Sequence, residues 1–217
     1  MPYLYSQVTD VPFTTGDSTH TLRAKATTLF ERAARLSSSF GTDVQTTEKF
    51  WADFHNVDAA IARLSVCLPH VRLPQEHSHQ TASGRRIDLV VFVVRALLHA
   101  AAIQLHAPFA FKDAASQQKC VATATVATAL VHNLDEGDYA FLDPIMGTCW
   151  TSVAEAFVRE MVMLRSEAAA AAAATGVTGA GTSTSGVEQQ LTALNRQLDI
   201  VVYAMNRLGG TVPLAGV

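Results

Sequence analysis

The sequence predicts an all-α protein, an irregular bundle of about six helices. Apolar residues recur at spacings of three and four through most of the chain, which keeps them on one side of a helix. Capping residues and helix breakers stand where those stripes begin and end. No segment reads as a strand and no internal repeat is visible, so the stripes have one another to pack against.

The first stripe is Leu22, Ala26, Leu29, Ala33, Leu36 and Phe40. Asp17 or Ser18 can cap it by accepting a backbone N–H, and Gly41 can end it. The second is Phe50, Phe54, Val57, Ile61, Leu64 and Leu68, with Thr46 or Thr47 as its cap. Pro69 stops it, because proline disfavours the helical conformation in the residue before it. Residues 71–86 are polar, hold Pro74, Ser83 and Gly84, and form a connecting loop. A third helix covers about 87–107 and ends at Pro108. Asp113 can cap a fourth over 114–132, where Ala122, Ala124, Ala127 and Ala129 let a neighbouring helix come close.

Residues 135–138 make an acidic turn. Asp143-Pro144 is a strong helix start, with Asp as cap and Pro at the first helical position. Met146, Trp150, Val153, Phe157, Met161 and Leu164 give that helix its stripe, and the alanines of 168–174 prolong it with little loss of side-chain entropy. Residues 175–186 are Gly, Ser and Thr with two small apolar residues, the composition of a flexible linker. Ser185 and Glu188 make a capping box for a last helix, striped by Leu191, Leu194, Leu198, Val201, Met205 and Leu208 and ended by Gly209-Gly210. The expected division is an extended N-terminal segment (1–18), a helical body (19–174), the linker (175–186) and a C-terminal helical segment (187–217). That last segment should pack back on the body, since an isolated helix of about 20 residues is marginal in water.

Composition narrows the function. Of the 217 residues, 49% are hydrophobic and 16% charged, which supplies a sizeable core and excludes a disordered chain. The net charge is −3 and the pI about 6.2. Arg85-Arg86 is the one basic pair, so the stripe that displaces counterions from phosphates is lacking and no direct nucleic-acid binding is expected. Cys67, Cys120 and Cys149 are odd in number and widely spaced, as reduced thiols in a cytosolic or nuclear protein would be. Residues 1–16 show no basic start followed by an apolar run, so no signal peptide is expected. The stretch 87–107 is the most apolar but carries Asp88, Arg95, His99, Gln104 and His106. It reads as a buried core helix and not as a membrane span of about 20 clean apolar residues.

Catalytic signatures are missing: there is no G-x-S-x-G elbow, no H-E-x-x-H pair and no Gly-rich phosphate loop after a strand. No cofactor is expected. The acidic turn is too short for a calcium loop. Glu76, His77 and His79 have ligand chemistry, but their spacing is not diagnostic and their setting is an exposed polar loop, so no metal site is expected. Asp88, Arg95, His99 and His106 are spaced by seven, four and seven and share one helix face. That face is a solvated edge, a polar pocket or a helix–helix contact, since charge in a core needs a partner. As a pocket it would bind a ligand through Arg95, His99 and His106. Trp51, Trp150, Met146, Met161, Met163 and Met205 sit at helical spacing as core or groove residues.

LLHAAAIQLHAPF at 97–109, followed by Cys120 in QQKCVATAT, and LDPIMGTCW at 142–150 form an ordered set with FWADFHNVDAAIARLSVCLPHVRLP at 50–74. Together they resemble the C-terminal half of the fungal-specific regulatory region, which lies downstream of the zinc-cluster DNA-binding domain in fungal transcription factors. The resemblance covers about 50–164. Leu105, His106, Pro108 and Phe109 match the family's Leu-His-Arg-Pro-Phe pattern, with Ala107 in place of the Arg. The family's zinc cluster needs six cysteines holding two zinc ions, and three stand here in another arrangement, so zinc and DNA binding are not carried over. What the resemblance implies is a non-enzymatic role in regulating transcription, through protein partners or a small-molecule effector, in the nucleus or otherwise the cytoplasm. The rival expectations are a helical small-ligand sensor unrelated to transcription and a helical enzyme.

Overall fold

The most apolar segment of the chain lies at the centre of the molecule. The computed structural model describes residues 17–40, 48–71, 87–175 and 183–211. Six α-helices run in the order α1 (Thr19–Ser39), α2 (Glu48–Cys67), α3 (Leu89–His106), α4 (Ala114–Val131), α5 (Ile145–Thr175) and α6 (Ser183–Thr211). A short 3₁₀ helix, Glu136–Phe141, precedes α5, and no strand occurs among the described residues. The all-α bundle is as the stripes predict.

Side chains set the helix starts. Ser18 Oγ accepts the Thr21 N–H at 3.2 Å, Asp113 accepts that of Ser116 at 2.9 Å, and Asp143 accepts that of Ile145 at 2.9 Å. Each satisfies an N–H that has no partner within its helix. Asp88 accepts from Val90 and Val91 at 2.9 and 3.1 Å. It is therefore the cap of α3, which starts at Leu89, and not a member of the polar stripe. Gly41, Thr46, Thr47, the extended segment over 1–16 and nearly all of the loop over 71–86 lie outside the described residues. α6 is longer than its punctuation suggests. It starts at Ser183, upstream of the Ser185 box, and runs through Gly209 and Gly210 to Thr211. Neither glycine takes the left-handed conformation of a helix stop, so the ladder continues through both.

α3 packs against α1, α2, α4 and α5, and 13 of its 18 residues are buried. By length and composition it could cross a membrane, but here its apolar surface is covered by other helices. α1 offers Leu22, Ala26, Leu29 and Ala33, and the two alanines let the axes approach. α4 does the same with Ala124 and Ala127, while its Cys120 thiol rests 3.6 Å from the Ile103 carbonyl. α5 contributes Met146, Cys149, Trp150, Val153 and Phe157. α6 lies along α5, touches α4 and buries Val201, Ala204 and Leu208. Its Tyr203 and Arg207 both donate to Glu136 on the 3₁₀ helix. Phe40, Phe50, Trp51, Phe54 and Phe109 close one end of the bundle as a chain of ring contacts, tightest at 4.4 Å between Phe40 and Phe109.

Candidate functional site

The polar stripe of α3 meets α2. Arg95 Nη2 donates to the carbonyls of Leu68 at 3.2 Å and Pro69 at 2.9 Å. It thus serves the C-terminal end of α2, where carbonyls lack helical partners and a cation is favoured. Burial lowers its pKa from the ordinary value, and its Nε is buried without a partner. His99, one turn on, is partly buried and its Nδ1 has no partner. Burial first, and then the Arg95 charge, push its pKa down to about 4. His106 is 7% exposed, with Nε2 3.3 Å from Asp58 Oδ1 and Nδ1 3.1 Å from Ser116 Oγ, and its ring stands edge-on to Phe54. Lys119 reaches the other Asp58 oxygen at 2.6 Å. The His106 hydrogen bond, helped by Lys119, outweighs burial and holds the Asp58 carboxyl down to about 2.

Asp58, His106 and Ser116 have the residue types of a hydrolytic relay. A carboxylate only accepts, so Nε2–H donates to Asp58, and Nδ1 faces the Ser116 hydroxyl. The order carboxylate, imidazole, hydroxyl is that of a relay, but the ring is reversed, with Nε2 and not Nδ1 on the carboxylate, and the surroundings are those of packing. Ser116 is 5% exposed, its hydroxyl is also drawn on by Asp113, and Lys119 compensates the Asp58 charge that would support an imidazolium. Burial raises the thiols of Cys120 and Cys149 to about 11 and 12, which keeps both protonated and unreactive. Among the described residues no cluster of His, Cys, Asp and Glu is arranged to hold a metal, and Glu76, His77 and His79 lie outside them.

Arg95, His99 and His106 do share a face, and Arg95 and His106 use it to contact α2, while His99 makes no hydrogen bond through Nδ1. Arg95 serves one end of α2 and His106 grips Asp58 nearer its middle. Asp58, Ser116 and Lys119 were not legible as members of this network. The available signal was Asp58 itself, a charge standing between Phe54 and Ile61 at the spacing of the apolar stripe of α2.

Two depressions on the described surface lie elsewhere. One, of about 330 Å³, sits between α4 and α5 and is lined by Gln117, Gln118 and Glu160 together with Ala114, Val121 and Ala122. The other, of about 380 Å³, is lined by Phe111, Glu155, Val158, Arg159, Val162 and Met205 among others. Phe111, Val158 and Val162 are 62%, 45% and 52% exposed, an outward apolar surface on a chain with ample interior to cover. The Arg159 guanidinium sits 5.9 Å from the centre of the Phe111 ring, and one of its terminal nitrogens is buried without a partner. No family model, no curated protein and no solved structure matches this chain.

Proposed function

We propose that the chain is the regulatory and interaction domain of a fungal transcription factor, a non-enzymatic module acting in the nucleus through protein contacts and without a DNA-binding cluster of its own. The observation that carries the contact role is the outward apolar surface of α5 with Phe111 beside it. Exposed apolar patches of this kind mark interaction sites on soluble domains. Two of the three polar residues that a ligand sensor would use, Arg95 and His106, are engaged in holding α3 to α2, which favours protein contacts over effector binding. The tie to transcription comes from the resemblance over 50–164.

The test is a fusion of the chain to a heterologous DNA-binding domain in a fungal host carrying a matching reporter. The expected result is a severalfold change in reporter output, in either direction, that Val158→Asp with Val162→Asp abolishes while the protein level holds. Output equal to that of the DNA-binding domain alone would reject the assignment.

A further inference from the structure

The outward face of α5 carries an unbroken stripe of exposed side chains. Thr151, Glu155, Val158, Val162, Arg165 and Ala169 are all exposed, and they follow one another at spacings of four, three, four, three and four. Those steps average 3.6 residues, the repeat of the helix itself, so the six side chains form one straight stripe that can serve as a helix–helix seam. The opposite face, with Trp150, Val153 and Phe157, is already used by the bundle. A seam stretching about 27 Å at 1.5 Å per residue is therefore left without a helix on it.

We propose that this seam pairs with the same seam of a second copy of the chain, antiparallel, about a two-fold axis beside residue 160. The positions are symmetric in chemistry about that point. Residues whose numbers sum to 320 face each other, so Val158 meets Val162 of the second copy, Thr151 meets Ala169, and Glu155 meets Arg165. The contact is isologous, and each cross-pair occurs twice. Neither Glu155 nor Arg165 has an ion-pair or hydrogen-bond partner among the described residues, so both charges are free to pair across the interface. The parallel alternative sets Glu155 against Glu155 and Arg165 against Arg165, and like charges across a seam select against it. Phe111, 62% exposed, and Met205 of α6 line the same depression as Val158 and Val162 and widen the contact beyond α5. The proposal rests on the assignment of this face as an interaction surface. The two fail separately, because the reporter reads transcription and sedimentation reads mass.

Sedimentation equilibrium on the full chain tests it, with wild type, Glu155→Arg, Arg165→Glu and the double exchange. The expected wild type is a dimer at micromolar concentration. Each single exchange converts two attractive pairs into two repulsive ones and should weaken the dimer roughly tenfold or more. The double exchange rebuilds the pairs with reversed polarity and should return the affinity to within a few-fold of wild type. Helical circular dichroism and thermal midpoints near wild type show that these surface variants fold. A wild type that stays monomeric at high micromolar concentration overturns the proposal. So do single exchanges that dimerise as well as wild type, or a double exchange as weak as the singles.

Discussion

His99 shows how one ring couples packing to pH. Its ordinary pKa of 6.5 falls to about 4 in the folded chain because burial beside the Arg95 guanidinium penalises the imidazolium. The shift is downward for a base, so the folded state refuses a proton that the unfolded chain takes up. Stability from this residue is complete above pH 6.5 and is lost as pH falls from 6.5 to about 4. Asp58 acts lower on the scale. Its carboxyl drops from 3.8 to about 2, so its contribution is intact above 3.8 and is lost between there and 2. Urea titrations from pH 8 to pH 4 should show a fall of roughly 2–3 kcal/mol, less than the full shift implies because the ring keeps some exposure. His99→Leu should flatten that fall, and should itself be well tolerated because the Nδ1 it removes has no partner. An unchanged slope in the variant would place the titrating group elsewhere.

Helices were legible in this chain because their evidence is local, whereas two of their ends and the network between them were not. Leu22 to Phe40 and Phe50 to Leu68 announce their faces by spacing alone, and Ser18, Asp113 and Asp143 announce three starts. The face shared by Arg95, His99 and His106 was equally readable. What that face touches was not, because Asp58 and Lys119 are 61 residues apart and meet only once α2 and α4 have packed beside α3. Gly209-Gly210 failed as a stop for a related reason. A glycine pair ends a helix only if one residue turns left-handed, and the burial of Leu208 just before it keeps α6 regular. This yields a test at the level of the element. A Cβ on either glycine would meet nothing within 4 Å, so Gly209→Ala and Gly210→Ala should each stabilise the protein by up to about 1 kcal/mol in chemical denaturation. A loss of stability in either variant would mean that the position is a left-handed stop, where a side chain is strained.

At the scale of the whole molecule, α6 depends most on its own packing, because it follows a Gly, Ser and Thr stretch and finds its partners on α5, α4 and the 3₁₀ helix. Three side chains, Val201, Ala204 and Leu208, are fully covered, and Leu194, Ile200 and Met205 are partly so. Full burial of a Val or Leu contributes about 1.5–3 kcal/mol, so this contact exceeds what the Arg207 ion pair and the Tyr203 hydrogen bond to Glu136, all largely exposed, can add. Attachment should thus survive loss of the covalent connection. A specific protease site placed between Thr175 and Ser183 and cut after folding should leave the α6 piece eluting with the body on gel filtration at tens of micromolar. High salt should matter little, while Leu208→Ala should release the piece. Separation of the wild-type pieces would show that the tether supplies the effective concentration that holds α6 in place. The outcome also bears on the seam of α5. While α6 occupies one flank of that helix, its outer stripe is the face left for a second copy. A body that loses α6 would expose a larger apolar flank and should self-associate without regard to the charges at Glu155 and Arg165.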